Sequence, residues 1–176
     1  MGLFRKFARN KRGAAAVEFA LIAPFMILLY CGLVETCQAI IADRKTNHVA
    51  SAIGDLVAQT ESVSSSDLTD IFAIGATVMA PYATTTLQQR VTNVTANASG
   101  VPKVIWSKGS GGLGGLTAGA TVTLPMTLTA GDTVVMSEAK YQYTSVLKIV
   151  LPNALAFSEV YYLRPRRSDA VTCTDC

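Results

Sequence analysis

Residues 13–34 read GAAAVEFALIAPFMILLYCGLV, an apolar run that carries a single charge, Glu18. The 21 residues from position 14 to position 34 are almost entirely hydrophobic. At a rise of about 1.5 Å per residue, a helix of that length covers roughly 31 Å, which is the thickness of the hydrocarbon core of a bilayer. The sequence therefore predicts a transmembrane helix over residues 14–34.

The segment before this run is basic. It contains Arg5, Lys6, Arg9, Lys11 and Arg12 and no acidic residue. Since an excess of Lys and Arg is kept on the cytoplasmic side of a membrane, we predict that the N-terminus is cytoplasmic and that the large remainder lies on the other side.

The basic character is confined to this leader. The whole chain has a formal charge of +3, but residues 14–176 hold ten Lys and Arg against twelve Asp and Glu, a formal charge of −2. No basic stripe alternates with aromatic residues beyond the leader, so nucleic acid is not an expected partner.

The helix is predicted to continue past the membrane to about Gln59. Apolar residues recur there at helical spacing, and polar residues occupy the other positions. The predicted stripe consists of Ile41, Val49, Ile53 and Leu56.

A second helix is predicted after the serine-rich stretch at residues 62–67. Ser66 or Asp67 is the expected N-cap, apolar residues then recur at helical spacing as far as Met79, and Pro81 ends the helix. We expect this helix to pack against the apolar stripe of the first one.

From position 90 onward the sequence becomes rich in β-branched residues that alternate with other residues, a pattern typical of strands. A glycine-rich segment at 108–120 is expected to have no fixed structure, and residues 147–157 remain unassigned. The predicted strands are residues 90–98, 101–107, 132–146 and 159–163. The fold class predicted is therefore α+β, a long N-terminal transmembrane helix followed by a domain with a second helix and an antiparallel sheet.

The junction between leader and apolar run resembles the processing site of type IV prepilins. Gly13 is followed five residues later by Glu18, and the small residues precede the apolar run, whereas the cleavage site of a secretory signal peptide follows it. The resemblance implies that a prepilin peptidase cuts between Gly13 and Ala14, removes residues 1–13 and leaves the hydrophobic helix on the mature protein.

Further blocks resemble the TadE-like proteins of bacterial tight-adherence (Tad, Flp) pilus machinery. They are residues 13–19, Pro81 after the second helix, VIWS at 104–107, VVMSEAKYQY at 134–143 and YYLRPR at 161–166, in the family's order. The resemblance leaves open whether the chain is similar to TadE, to TadF or to a short TadG.

This resemblance implies a minor pseudopilin-like protein of the bacterial inner membrane, with residues 1–13 as a cytoplasmic leader, 14–34 in the membrane and 35–176 in the periplasm. The implied partners are other Tad pilins and pseudopilins, inner-membrane assembly proteins and the prepilin peptidase. We expect no enzymatic activity, no cofactor and no small-molecule substrate. Two alternatives remain: an uncleaved membrane scaffold of the pilus machine, and a membrane-tethered ligand-binding domain that uses the glycine-rich loop.

Glu18 has two interpretations. A carboxylate inside an apolar segment costs about 3 kcal/mol on insertion scales, which favours a function and a partner. Alternatively, Glu18 is about one turn inside the helix and only reaches up to the interface. The resemblance implies the first, in which Glu18 pairs with the ammonium that cleavage creates on Ala14 of a neighbouring subunit.

Pro24 lies inside the predicted span. Proline removes one backbone hydrogen bond, so we predict a kink or a local loosening of the helix, which membrane helices tolerate.

The four cysteines form two pairs that differ in whether their members can form a disulfide with each other. Cys173 and Cys176 end the chain as Cys-x-x-Cys, and a disulfide is the leading interpretation, with free thiols, a metal shared with a partner or a redox pair as alternatives. Cys31 and Cys37 are about 9 Å apart along one helix and cannot bridge each other.

Two further motifs are discounted. Residues 109–114 match G-x-G-x-x-G, but no helix is predicted after them to offer its N-terminal amides to a pyrophosphate. His48 is the only histidine, which excludes a metal site made of several histidines.

Overall fold

The computed structural model describes residues 12–176, with nothing described of the Arg12 side chain. The predicted leader over residues 1–13 therefore lies outside the described residues, except for its last two positions. The chain divides into two compact units, the first made of residues up to Ala39 with Thr144–Ala154, and the second of Ile40–Tyr143 with Leu155–Cys176.

Helix α1 runs from Arg12 to Ala58 and supplies residues to both units. Its end agrees with the prediction of a helix to about Gln59, and it continues unbroken through Pro24. Alanine and leucine are abundant in its first half, and both are strong helix formers.

The apolar stripe of α1 differs from the predicted one. Val49 and Ile53 are fully buried as expected, but Ile41 is exposed and Leu56 is half-buried. Small residues take their places, and the buried positions of this part of α1 in the second unit are Ala42, Thr46, Val49, Ala50, Ile53, Gly54, Val57 and Ala58. Small side chains let a helix approach a sheet closely, which a search for large apolar residues does not detect.

Helix α2 runs from Ser65 to Val78, after the two-residue strand β1 (Ser62–Val63). Its N-cap is Ser64, two or three residues earlier than expected, and Asp67 is the third helical residue of a capping box. The Ser64 hydroxyl accepts from the Asp67 amide while the Asp67 carboxylate accepts from the Ser64 amide, so two otherwise unpaired helix donors are satisfied. The prediction of Ser66 or Asp67 as the cap was wrong because both residues already have helical backbone.

Four longer strands follow: β2 (Gln88–Ala96), β3 (Pro102–Ser110), β4 (Thr133–Tyr143) and β5 (Leu155–Leu163). They form an antiparallel sheet in the order β3-β2-β4-β5. The α+β class and the antiparallel sheet are confirmed. The predicted ends were displaced: β4 stops at Tyr143 rather than at position 146, and β5 begins at Leu155, inside the stretch that the sequence left unassigned.

Helix α1 packs on this sheet within the second unit. The Ser137 hydroxyl of β4 donates to the Ala50 carbonyl at 2.7 Å, and a Cβ at Gly54 would lie 2.6 Å from Leu163 Cδ1 of β5. The glycine therefore permits a close helix-to-sheet distance, and a larger residue would displace the side chains of Ser137 and Leu163. On the same face, the Tyr161 hydroxyl donates to Asn47 Oδ1 at 2.9 Å.

The glycine-rich segment has defined structure, contrary to expectation. It folds back on β3, where the Gly119 amide donates to the Val104 carbonyl at 2.8 Å and the Val104 amide donates to the Ala120 carbonyl at 3.0 Å. The Arg90 guanidinium, paired with Glu138, also donates to the Gly114 carbonyl at 3.1 Å. Glycine-rich segments are expected to be mobile only where nothing binds their backbone. Here β3 and the Arg90 guanidinium both bind it.

The last strand, β6 (Thr172–Cys173), was not predicted. It pairs in parallel with β1, Ser62 opposite Thr172 and Val63 opposite Cys173. The two strands are more than a hundred residues apart in the sequence, and each has only two residues. They are too short to show the periodicity from which a strand is predicted.

Candidate functional site

The predicted cleavage residues Gly13 and Ala14 lie in the first turn of α1, and both are exposed. A Cβ built on Gly13 would meet no atom within 4 Å. The packing of the described residues therefore does not require a glycine here, so a requirement for one would have to come from outside the fold.

Glu18 is exposed on α1, four residues after Ala14. Residues four apart lie on the same helix face, about one turn from each other. Within residues 12–176 the Glu18 carboxylate makes no hydrogen bond and no ion pair. Its pairing with a neighbour's N-terminus stays a prediction, as does its alternative role at the interface.

Pro24 is exposed and sits within the continuous helix. Its missing amide leaves the Ala20 carbonyl without the usual intrahelical donor. The predicted kink or local loosening is not tested by this continuity and stays a prediction.

The first half of α1 presents an apolar surface that no described residue covers. Phe25 is 73 % exposed, and an apolar patch of this size on one helix is rare on a soluble surface. Among residues 12–176, α1 is the helix that is long and apolar enough to cross a membrane. The large exposed side chains are Val17, Phe19, Leu21, Ile22, Phe25, Met26, Ile27, Leu28, Leu29, Tyr30 and Leu33.

Sequence reasoning missed Glu35, which is the first residue after the apolar run and is only 2 % exposed. Its carboxylate accepts four hydrogen bonds from the loop between β4 and β5. Oε1 accepts from the Ser145 hydroxyl at 2.8 Å and from the Ile149 amide at 2.9 Å. Oε2 accepts from the amides of Val150 and Leu151 at 2.7 and 2.9 Å.

The surroundings of Glu35 favour the ionised form. Burial raises the pKa of the Glu35 carboxyl, but hydrogen bonds from the amides of Ile149, Leu151 and Val150 and from the Ser145 hydroxyl outweigh burial and lower the pKa to about 2. Hydrogen bonds to a carboxylate stabilise its charge, and three successive amides that converge on one carboxylate form an anion-binding nest. Glu35 is therefore an anionic latch that ties residues 144–154 to α1.

The same loop touches α1 one turn earlier. A Cβ built on Gly32 would lie 2.8 Å from Val150 Cγ2, so a larger residue would require the Val150 side chain to shift. An acid directly after a 21-residue apolar run was a visible signal. Its partners, 110 or more residues away in a segment without periodicity, were not.

The Cys173 and Cys176 sulfurs form a disulfide, with Cα atoms 5.8 Å apart. Between them, Asp175 Oδ1 accepts from the Ser65 amide at 2.6 Å, in the first turn of α2. The two sulfurs and the Asp175 carboxylate lie within 4.8 Å of one another, but a closed disulfide leaves no thiolate for a metal. Cys31 and Cys37 are free.

The discounted motifs do not gather into a binding site within residues 12–176. The G-x-G-x-x-G match at 109–114 leads into the segment that folds back on β3, not into a helix. His48 is exposed on α1.

A comparison with protein families finds a match that lies in α1, the helix that carries Gly13, Glu18 and Glu35. The model of a family described as TadE-like protein matches residues 13–54, all of them within α1. This confirms the resemblance over those residues, about a quarter of the chain, and indicates a role in Tad pilus assembly. No curated protein and no solved structure matches the chain.

Proposed function

We propose that the protein is a minor pseudopilin-like component of a bacterial Tad (Flp-type) pilus assembly system, which acts in pilus biogenesis through contacts with other subunits. The observation that carries the proposal is the TadE-like match over residues 13–54, because it covers the predicted cleavage junction, Glu18 and the exposed apolar helix together.

The proposed topology is a single pass through the inner membrane. Residues 1–13 form the cytoplasmic leader, 14–34 cross the bilayer and 35–176 lie in the periplasm. Two features support this topology. Five basic residues precede position 13, and large apolar side chains are exposed along the first half of α1. The partners proposed are other Tad pilins and pseudopilins, inner-membrane assembly proteins and the prepilin peptidase.

The proposed cleavage gives α1 a new positive end. An ammonium on Ala14 would add a full charge to the partial positive charge at a helix N-terminus, an unfavourable combination in an apolar setting. A carboxylate on the neighbouring helix relieves it. Glu18, exposed one turn from Ala14 on the same face, is positioned to supply that carboxylate to an adjacent subunit.

An uncleaved inner-membrane scaffold is the second candidate. The observation that favours it is that the Gly13–Ala14 bond lies within α1, since a peptidase needs the first turn to open before it can cut. In this alternative the leader stays attached, and Glu18 is an interfacial charge without an ammonium partner.

The test is Glu18→Gln, which keeps the size of the side chain and removes its charge. Surface pili are counted in a strain whose only copy carries the change, after abundance, membrane insertion and processing are shown to match wild type. Glu61→Gln is the matched control, because Glu61 is an exposed acid in the second unit.

We expect Glu18→Gln to reduce pilus number sharply and Glu61→Gln to leave it unchanged. Normal piliation in the Glu18 variant would defeat the pairing mechanism. Normal piliation in a strain that lacks the protein altogether would defeat the proposed function.

A further inference from the structure

The loop at residues 144–154 presents apolar side chains outward. Val146 is 93 % exposed, and Leu147, Ile149 and Val150 are each about half exposed. Such residues are normally buried, and four in five consecutive positions form a compact apolar tip. Lys148 is the only charged residue in this tip.

The contacts of the first unit fix the level of this loop along α1. The Glu35 carboxylate binds the amides of Ile149, Val150 and Leu151, and Val150 also approaches Gly32. Positions 32–35 are the last turn of the apolar run and the residue after it, and they span only about 4.5 Å along the helix. The apolar tip is therefore attached where the proposed membrane segment ends.

We propose that the loop at residues 144–154 enters the periplasmic interface of the lipid bilayer, with the apolar side chains of its tip extending to the upper acyl chains and Lys148 at the level of the lipid phosphates. The proposal rests on the proposed membrane span of residues 14–34. It adds a second, non-helical membrane contact beside that span.

The hydrogen bonds of Glu35 support lipid as the occupant. Non-helical backbone that enters a membrane must have its polar groups satisfied, and it does not occur exposed to lipid in the hydrocarbon core, so we place the backbone of this loop at the interface. Three successive amides of this loop donate to one carboxylate, so they need no water. A loop that faced water alone would have no such requirement.

The conformation of Lys148 also supports a lipid contact. Its φ is +55°, in the left-handed region that non-glycine residues rarely adopt. Glycine or asparagine would fit this backbone with less strain. A lysine at the boundary between apolar chains and anionic phosphates has a chemical use for its ammonium, since long basic side chains extend from apolar surroundings to the headgroups.

The test uses the full chain in vesicles of phosphatidylethanolamine and phosphatidylglycerol. Cys31 and Cys37 are replaced by serine, one cysteine is added and an environment-sensitive fluorophore is attached to it. The added cysteine is Val146→Cys in the loop, Phe25→Cys near the middle of the span, or Ala98→Cys in the exposed turn between β2 and β3.

All three positions are exposed, so the substitutions remove few contacts. Labelling is carried out without reductant, and the parent without an added cysteine reports any labelling of Cys173 or Cys176.

Quenching is compared for lipids with a nitroxide near the head of the acyl chain, lipids with a nitroxide near its end, and aqueous iodide. We expect the Val146 label to have blue-shifted emission and stronger quenching by the shallow nitroxide than by the deep one. The Phe25 label should show the opposite preference, and the Ala98 label should be quenched by iodide only.

A Val146 label quenched by iodide alone, beside a lipid-quenched Phe25 label, would overturn the loop proposal and leave the membrane span standing. Protection of the Val146 label from lipid nitroxide and iodide alike would also overturn it, because a protein surface would then cover the loop. Loss of lipid quenching at Phe25 as well would refute the span itself.

Discussion

Replacing Glu35 by glutamine tests the latch between α1 and residues 144–154 most directly. Each carboxylate oxygen accepts two hydrogen bonds, so the amide group of glutamine can retain only one accepting oxygen. In the better orientation the oxygen keeps the amides of Val150 and Leu151, while the new NH2 group donates to the Ser145 hydroxyl. The Ile149 amide then has no acceptor and faces another donor.

The magnitude follows from that count. One hydrogen bond to a charged group is lost and the remaining ones lose their charge, so the loop is expected to open at least about tenfold more often. Hydrogen exchange followed by mass spectrometry measures this opening in peptides that cover residues 144–154 of the full chain in nanodiscs. Glu61→Gln, outside this contact, should leave exchange unchanged.

The pH dependence follows the lowered pKa of Glu35. Burial raises this pKa, but the four hydrogen bonds outweigh burial and lower the pKa to about 2, against an ordinary value of 4.5. A group whose pKa is lowered by folding contributes stability above its ordinary pKa, and the contribution disappears as the pH falls toward the folded value. Wild-type protection of the loop, corrected for intrinsic exchange, should therefore decline between pH 4.5 and 2. Equal protection of wild type and Glu35→Gln at pH 7 would refute the latch.

Two further predictions concern the ends of the two helices. Gly13→Leu should abolish cleavage and leave the chain heavier by the mass of residues 1–13, while insertion continues. The helix should tolerate the change, because the Cβ position at Gly13 is open and helix propensity improves by up to about 1 kcal/mol. Intact-mass analysis of the membrane fraction measures the outcome, and normal cleavage would remove Gly13 from the recognition site. Ser64→Ala should destabilise the second unit by roughly 1 kcal/mol because the N-cap of α2 is lost, whereas Ser65→Ala should have little effect. Thermal unfolding compares the two variants, and equal melting temperatures would contradict the assignment of Ser64 as the cap.

Local sequence patterns predicted the long elements of this fold. An uninterrupted helical pattern gave α1 almost to its last residue, and β-branched alternation gave all four strands of the main sheet. These signals are local, since each depends on residues within one or two turns or one strand.

Features that depend on distant partners were not predicted. Glu35 was passed over because its four donors lie in a loop without periodicity, more than a hundred residues away. The glycine-rich segment was expected to lack structure because the sequence does not reveal that Arg90 reaches the Gly114 carbonyl. The small residues of the buried stripe carry little hydrophobic signal, although their size permits the close approach of α1 to the sheet.

The N-terminal residue of the mature protein, isolated from the membranes of its native host, tests the central proposal most directly. Cleavage at the predicted junction would make Ala14 the first residue, and the account of a processed pseudopilin-like subunit predicts this result. A protein that begins at Met1 or Gly2 in cells that contain the prepilin peptidase would contradict it and leave the uncleaved scaffold.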